Sequence, residues 1–123
     1  MHESPAAYLA EFHRAFDLPR QDRPELVPAE VASARQRLLD EEISEVAEAV
    51  RSGDLAAIAH ELADVVYVAY GTALAYGIDL DAVLAEVHRA NMSKLGPDGQ
   101  PVVVNGKVQK GAGYRPPDVA DVI

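Results

Sequence analysis

Two acidic motifs in the middle of the chain are arranged like the ligands of a cation. The first is EExxE, formed by Glu41, Glu42 and Glu45, and the second is ExxD, formed by Glu61 and Asp64. On a helix of 3.6 residues per turn, the carboxylates of each motif share one face. Clustered carboxylates repel one another unless protons or cations bridge them, and oxygen ligands without His or Cys suit Mg²⁺ or Mn²⁺. The motifs therefore predict a cation site for a polyphosphate substrate.

The two motifs fall on two predicted helices that are joined by a short loop. We predict one helix over about residues 29–52, with Gly53 just past its end. The next helix extends over about residues 55–76, with Asp54 as its N-cap. Helices joined by so short a loop pack antiparallel as a hairpin.

Distances along the chain indicate that the two motifs meet. Glu42 and Glu45 lie ten and seven residues before Ser52, at the start of the loop. On the other side, Glu61 and Asp64 lie seven and ten residues after the N-cap. An isolated acidic motif is usually only a solvated helix face. The matched distances place both acidic pairs at one height and favour a functional site.

The apolar pattern predicts an all-α protein. A first helix begins with Ser4 as N-cap and Pro5 at its first position, and a fourth follows Asp79 to about Ser93. The expected buried stripes of the second, third and fourth helices are Leu39, Ile43, Val46 and Val50; Ile58, Leu62, Val65 and Ala69; and Leu80, Leu84 and Val87. The segment VVVNGKV predicts a small β-hairpin before an extended tail. We expect a bundle of about four helices in a single domain over residues 1–123.

One helix is apolar on every side. The second half of the third helix, VVYVAYGTALAY, carries no charge around its whole circumference, and such a helix must be surrounded. Four short helices can hardly enclose it alone. We therefore expect a helical partner, most simply a second copy of the chain.

Composition and charge exclude several classes of protein. The net charge is −9 over 123 residues, and seven of those nine charges fall within residues 40–64. This balance argues against non-specific binding to DNA or anionic membrane. The absence of Cys excludes disulfides, thiolate zinc sites and cysteine nucleophiles. The N-terminus lacks the pattern of a signal peptide, and the longest charge-free stretch, residues 65–78, is too short to span a bilayer. We expect a cytoplasmic protein without nucleic-acid or membrane partners.

Basic residues gather toward the C-terminus. The stripe of the fourth helix continues to Asn91 and Lys94, which either point to water or reach the carboxylates and hold phosphate. The residues Lys110, Tyr114 and Arg115 could close over the same phosphates. A solvated basic tail is the simpler interpretation for each of these three taken alone.

The histidines and aromatic residues give weaker signals. His13 is expected at the surface or its boundary, and His60 is either half-buried or a support for the acidic ligands. The aromatic residues Tyr8, Phe12 and Phe16 are expected in the core, although one could instead stack on a base.

The sequence resembles the MazG-like all-α nucleoside triphosphate pyrophosphohydrolases. The resemblance rests on LLDEEISEVAEAV, HELADVVYVAYG and VHRANMSKLGPDGQPV with the tail GKVQKGAGYRPP, and it covers nearly the whole chain from EFHRAF onward. The NMSK segment and the GKVQKG tail are most similar to bacterial members that act on dUTP. The resemblance implies that Mg²⁺ is bound by Glu42, Glu45, Glu61 and Asp64. It also implies that Glu41 is a further ligand or activates water, and the roles of Glu41 and Glu42 stay open.

The resemblance further implies phosphate or sugar contacts from Asn91 and Lys94. It also implies a homodimer or a dimer of dimers, with both chains lining the pocket. We therefore expect Mg²⁺-dependent hydrolysis of a (deoxy)nucleoside triphosphate, with dUTP as the expected substrate, to the monophosphate and pyrophosphate. Other open substrates are dCTP, a damaged dNTP and phosphoribosyl-ATP. From a different class, the chain could be a non-catalytic helical dimerisation module whose acidic face binds a cation or a basic partner.

Overall fold

The structure, a computed structural model, describes residues 2–123 and contains four α-helices and a two-stranded hairpin. The elements are α1 Pro5–Ala15, α2 Ala29–Ser52, α3 Leu55–Ala75, α4 Leu80–Met92, β1 Val103–Val104, β2 Lys107–Val108 and a 3₁₀ turn Val119–Asp121. This architecture confirms the predicted all-α fold class with a small hairpin near the C-terminus. The 3₁₀ turn in the tail was not predicted.

Local capping residues set the boundaries of the central helices. The helix α1 begins after the predicted N-cap Ser4. The helix α2 ends at Gly53, whose φ of +69° is readily adopted only by glycine. The Asp54 carboxylate then accepts hydrogen bonds from the amides of Ala56 and Ala57 at 3.0 and 3.3 Å. These contacts fix the short loop between α2 and α3.

The chain divides into two compact units, one up to Leu80 and the other over Asp81–Ile123. In the first unit, α3 packs against both α1 and α2. In the second unit, β1 and β2 pair antiparallel. The turn residues Asn105 and Gly106 have φ values of +52° and +76°, the positive values that a type I′ hairpin turn requires.

Part of each predicted apolar stripe of α2 and α3 is exposed in the single chain. Ile43 and Val50 of α2 are 59% and 57% exposed, and Leu62 of α3 is 52% exposed. The prediction that these three residues lie in the core is wrong for the single chain. Glu42 of α2 and Glu61 of α3 are half-buried, so acidic side chains share the buried surface of the two helices. The other five stripe residues are half-buried: Leu39, Val46, Ile58, Val65 and Ala69.

The second half of α3 is only partly buried by the chain itself. Its buried residues are Tyr70, Gly71, Ala73 and Ala75, whereas Val66 and Tyr67 are 47% and 38% exposed. The expectation that a partner helix covers the rest of this half stays a prediction. Further exposed apolar residues lie on α2 and on the first half of α3. Within residues 2–123, no single helix is both long and apolar enough to cross a membrane. Only α3 and α4 taken together reach the required length and apolar composition, and the chain bends by 114° between them.

Candidate active site

Four carboxylates from α2 and α3 meet at one level of the helical hairpin. Glu42 and Glu45 belong to α2, and Glu61 and Asp64 belong to α3. Each offers an oxygen atom, and these four oxygens all lie within 4.8 Å of one another. The structure thus brings together the four residues to which the sequence resemblance assigns Mg²⁺.

Like charges are crowded in this cluster. Burial raises the pKa of Glu42 above its ordinary value, and the charges of Glu45 and Asp64 raise that pKa further. Burial also raises the pKa of Glu61, with Glu45 as the next contributor. Within residues 2–123, the Oε2 atoms of Glu42 and Glu61 are buried without a hydrogen-bond partner. Buried acceptors without donors, set among further carboxylates, fit a divalent cation such as Mg²⁺.

Two residues beside the cluster differ in their placement. Glu41 is exposed and lies outside the group of four, so its role as ligand or water activator stays a prediction. The Nε2 atom of His60 lies 3.2 Å from Oδ2 of Asp64, one turn along α3, and the His60 side chain is 70% exposed. His60 therefore contacts Asp64 from the solvent side, which agrees with the supporting role left open by the sequence.

A cavity of about 310 Å³ adjoins the carboxylates. Glu42 and Asp64 form part of its wall, together with Phe12, Tyr67 and Arg35. The rings of Phe12 and Tyr67 meet edge to face, with centroids 5.5 Å apart. The cavity has the size of a small-molecule site, with apolar walls and a few polar groups. It offers room for a planar ring next to the carboxylate cluster.

The aromatic residues of α1 are more exposed than predicted. Tyr8 is 42% and Phe16 is 66% exposed, so the expectation that these two residues lie in the core is wrong. Phe12 is half-buried, and its ring centroid lies 4.7 Å from that of Phe16. The aromatic side chains of α1 thus extend from the cavity wall to the surface.

Two polar side chains of this cavity were missed as functional candidates. His13 is 1% exposed, and its Nδ1 donates to the Pro19 carbonyl at 2.8 Å. Burial lowers the pKa of His13, so the imidazole is neutral and its Nε2 is an acceptor. Arg35 donates from Nε to Thr72 Oγ1 at 3.1 Å and from Nη2 to the Val68 carbonyl at 2.9 Å. The prediction of a surface position for His13 is wrong because the chain after α1 folds back to supply the Pro19 carbonyl.

Gly71 is the position of α3 that both side chains approach. A Cβ atom there would lie 2.5 Å from Arg35 Nη2 and 2.9 Å from His13 Nε2. Two features of the sequence could have pointed to this contact. Gly71 is a glycine inside a helix, and Arg35 lies four residues after Val31, on the half-buried side of α2. Neither signal alone shows that the two positions meet.

The predicted phosphate-binding residues all lie in the second unit. The Nζ atoms of Lys94 and Lys110 lie 6.0 and 5.0 Å from the ring centroid of Tyr114. Asn91 and Arg115 are exposed. The structure therefore places two of the five residues, Lys94 and Lys110, beside the Tyr114 ring.

The fourth helix is rotated relative to the prediction. Leu84 is 55% exposed, whereas Ala90 is 1% exposed. The buried line of α4 therefore leads to Ala90, and the prediction of a core-facing position for Leu84 is wrong. Asn91 is exposed, one of the two placements that the sequence left open for it, and its contact with phosphate stays a prediction. Glu86 of the same helix is half-buried and accepts a hydrogen bond from the Asp118 amide of the tail.

Comparison with known proteins gives the class of this chain. A family model described as phosphoribosyl-ATP pyrophosphohydrolase (PRA-PH) matches residues 9–91, a segment that includes both acidic motifs. An all-α fold and a matching pyrophosphohydrolase model define the protein as a pyrophosphohydrolase. The chain belongs to the phosphoribosyl-ATP pyrophosphohydrolase family. The expectation of a pyrophosphohydrolase enzyme is thus confirmed.

A protein from Exiguobacterium sp. 255-15, provisionally described as an NTP pyrophosphohydrolase, is similar to this chain at 25% sequence identity and a TM-score of 0.47. The match covers 96% of this chain and 91% of that protein. No curated protein matched the chain by sequence.

Proposed function

We propose that this pyrophosphohydrolase cleaves a (deoxy)nucleoside triphosphate, with dUTP as its preferred substrate, in a Mg²⁺-dependent reaction. The observation that carries the proposal is the carboxylate cluster beside a cavity. Four carboxylate oxygens lie within 4.8 Å of one another, and Glu42 and Asp64 also line the cavity of about 310 Å³. The choice of dUTP rests on the resemblance of the NMSK and GKVQKG segments.

The residues that would hold Mg²⁺, or Mn²⁺ in its place, are Glu42, Glu45, Glu61 and Asp64. All four present hard oxygen ligands, as these cations prefer. The two buried oxygens without donors, on Glu42 and Glu61, support the assignment. When bound, the cation would neutralise the triphosphate and the pyrophosphate leaving group.

The reaction needs a base for the attacking water. The water oxygen forms a bond to the α-phosphorus, and the bond from that phosphorus to the bridging oxygen of the β-phosphate breaks. The proton of the water passes to the carboxylate of Glu41 or Glu42, and pyrophosphate leaves. Glu41→Gln and Glu42→Gln separate the roles, since loss of the base lowers kcat alone and loss of a ligand weakens Mg²⁺ binding.

The cavity is the proposed place for the nucleobase. Phe12 and Tyr67 supply aromatic surface in its wall, and Arg35 and the neutral His13 supply a donor and an acceptor. Stacking on aromatic rings together with a few hydrogen bonds is the usual composition of a base site. Asn91 and Lys94 stay the proposed phosphate or sugar contacts.

Phosphoribosyl-ATP is the second candidate substrate, favoured by the description of the family model that matches. Hydrolysis of this compound breaks the same kind of α–β phosphoanhydride bond, so the same carboxylates would serve. The two candidates differ in the base, which in phosphoribosyl-ATP carries an additional phosphoribosyl group.

A substrate panel tests the proposal. Phosphate products are measured from dUTP, dCTP, the other canonical triphosphates, a damaged dNTP and phosphoribosyl-ATP, each with Mg²⁺ and with EDTA. We expect monophosphate and pyrophosphate from dUTP in Mg²⁺ at a rate well above the others. A higher rate with phosphoribosyl-ATP would replace dUTP as the substrate. No turnover of any compound by the folded protein would favour a cation-binding dimerisation module.

We also propose a homodimer or a dimer of dimers. Exposed apolar residues on α2 and α3 include Ile43, Val50, Leu55, Leu62 and Val66, which are 47% to 80% exposed. Large exposed apolar surface is typical of a protein interface. Sedimentation of wild type and of Leu62→Lys tests the assembly. A wild-type chain that sediments as a monomer at all concentrations would contradict it.

A further inference from the structure

We propose that the segment between α1 and α2 positions Arg35 in the cavity beside the carboxylates, and that Gln21 and His13 are the positioning residues. Gln21 ties residues 19–25 to the end of α3. This segment in turn holds His13 with a proton on Nδ1, so that its Nε2 is an acceptor next to the Arg35 guanidinium. Only the ligand that Arg35 would meet rests on the proposed function.

The segment is tied to the last turn of α3 by its backbone and by one side chain. The Gln21 amide donates to the Leu74 carbonyl at 3.1 Å, and the Glu25 amide donates to the Tyr76 carbonyl at 3.0 Å. The Gln21 side chain donates from Nε2 to the Ala75 carbonyl at 2.9 Å and to the Glu25 carbonyl at 3.0 Å. The carbonyls of a last helical turn lack partners within the helix. Gln21 therefore caps α3 and holds the segment against it.

A glycine makes room for this contact. Gly77 follows α3 with a φ of +72°, and the Arg23 carbonyl oxygen lies where a Cβ atom at position 77 would be. Glycine is the residue that allows both a positive φ and so close an approach of another backbone. Pro19 and Pro24 restrict the segment further, since each fixes its own φ. The segment is thus built to hold one conformation on α3.

The segment presents the Pro19 carbonyl to His13. The Nδ1 atom of His13 lies 2.8 Å from that oxygen, and the residue is 1% exposed. A carbonyl oxygen only accepts, so Nδ1 carries a proton. Burial lowers the pKa of His13; the Pro19 hydrogen bond opposes this shift, and the charges of Arg35 and Arg20 lower the pKa further. The ring is therefore neutral, and Nε2 keeps its lone pair.

This tautomer suits the Arg35 guanidinium. His13 Nε2 and Arg35 Nη2 lie 2.9 and 2.5 Å from the point where a Cβ atom on Gly71 would be, so the two nitrogens are neighbours. A guanidinium only donates, and a proton on Nε2 would set two donors against each other. With Nε2 as an acceptor, Arg35 can keep its hydrogen bonds to Thr72 Oγ1 and the Val68 carbonyl.

Arg35 is the group that this arrangement offers to a ligand. It lines the cavity together with Glu42 and Asp64 of the carboxylate cluster. Of its five N–H donors, the two contacts to α3 use one on Nε and one on Nη2. Another donor can serve a carbonyl or a ring nitrogen of the nucleobase proposed for this cavity. A displaced guanidinium would weaken nucleotide binding and leave the carboxylates unchanged.

The first test measures the tautomer of His13 by NMR of the full chain, labelled with ¹⁵N in histidine. Couplings between the ring nitrogens and the carbon-bound ring protons distinguish the two neutral tautomers. The His13→Gln variant identifies the His13 signals among those of the four histidines. We expect a neutral ring with the proton on Nδ1 in wild type at neutral pH. A charged ring, or a ring protonated on Nε2 alone, would overturn the inference without any further variant.

The second test reverses the hydrogen-bonding character of residue 21. Gln21→Glu keeps the shape of the side chain but sets a negative acceptor against carbonyls at a helix C-terminus, whereas Gln21→Lys keeps a donor and adds a favourable positive charge. In Gln21→Glu, we expect the His13 signals to lose the single Nδ1-protonated state. KM for dUTP should rise about tenfold, the value of one hydrogen bond to a charged group, with kcat nearly unchanged.

Two comparisons make this result specific. Gln21→Lys should restore the His13 signals and most of the affinity. Gln36→Ala, which removes an exposed glutamine of α2 that bonds Asp40, should match wild type in both measurements. Should Gln21→Glu fail to fold, Gln21→Ala removes the same donors without adding a charge.

The outcomes separate this inference from the proposed function. A His13 tautomer that depends on Gln21, in a protein without nucleotide turnover, would support the positioning role and refute the proposed reaction. Turnover of dUTP with the KM and the His13 signals of wild type in Gln21→Glu would overturn the positioning role and leave the reaction standing.

Discussion

The Gly71→Ala substitution tests how tightly the cavity beside the carboxylates is packed. Alanine in place of glycine within a helix normally stabilises a protein by about 1 kcal/mol. Here the added Cβ would lie 2.5 Å from Arg35 Nη2 and 2.9 Å from His13 Nε2. Both distances are shorter than van der Waals contact. We therefore expect the opposite sign, a loss of stability.

The size of the stability loss follows from the hydrogen bonds that Arg35 would lose. Its guanidinium is held by hydrogen bonds to Thr72 Oγ1 and the Val68 carbonyl at 3.1 and 2.9 Å. A hydrogen bond to a charged group contributes about 1.5 to 3 kcal/mol, and overpacking costs about 1 to 3 kcal/mol. After subtraction of the helix-propensity gain of about 1 kcal/mol, the free energy of unfolding should fall by about 1.5 to 5 kcal/mol.

Urea unfolding of the metal-free protein, followed by circular dichroism, measures this loss. Gly113→Ala is the matched control because nothing lies within 4 Å of its added Cβ, and it should leave stability nearly unchanged. Gly71→Ala should also raise KM for the nucleotide, since Arg35 and His13 line the proposed base cavity. A Gly71→Ala chain at least as stable as wild type would refute the packing argument.

Three further predictions concern protonation, capping and the cation. Lowering the pH from 7 to 5.5 should destabilise wild type more than His13→Gln, because burial lowers the pKa of His13 and the unfolded chain takes up the proton first. The difference in unfolding free energy between wild type and His13→Gln should change by at most about 1.4 kcal/mol per pH unit. Identical pH profiles of stability for the two proteins would contradict the burial of a neutral His13. Asp54→Ala should cost about 1 kcal/mol and lower Tm by a few degrees, since two amide hydrogen bonds at 3.0 and 3.3 Å are lost. Mg²⁺ at about one hundred times its Kd should stabilise wild type and Glu48→Gln by about 2.7 kcal/mol in chemical unfolding, and Glu45→Gln much less. Equal stabilisation of all three proteins would argue against the cluster as the cation site.

Features set by neighbouring residues could be predicted from the sequence. The bounds of α2 follow from its helical pattern and from Gly53, and the start of α3 follows from Asp54, because capping depends on a few adjacent residues. The meeting of Glu42 with Asp64 was also accessible. A two-residue loop fixes the register of a helical hairpin, so counting from the loop gives the height of each side chain.

Features set by distant packing could not be predicted. Ile43 of α2 and Leu62 of α3 were assigned to the core because apolar residues usually face inward, but both are exposed in the single chain, while the carboxylates of Glu42 and Glu61 are half-buried. The burial of His13 depends on the chain folding back after α1 to present the Pro19 carbonyl. The contact of Arg35 with Gly71 joins positions 36 residues apart in the sequence. No local pattern encodes these three contacts.

The most direct test of the central claim is the release of pyrophosphate from dUTP by three proteins: wild type, Asp64→Asn and Glu48→Gln. Asp64 belongs to the carboxylate cluster, and Glu48 is an exposed carboxylate of α2 outside it. With Mg²⁺ present, wild type and Glu48→Gln should each release one dUMP for every pyrophosphate, and at the same rate. Asp64→Asn should release neither, while its circular dichroism spectrum matches that of wild type. Full activity in Asp64→Asn, or undiminished activity of wild type in EDTA, would contradict a cation-dependent site at this cluster.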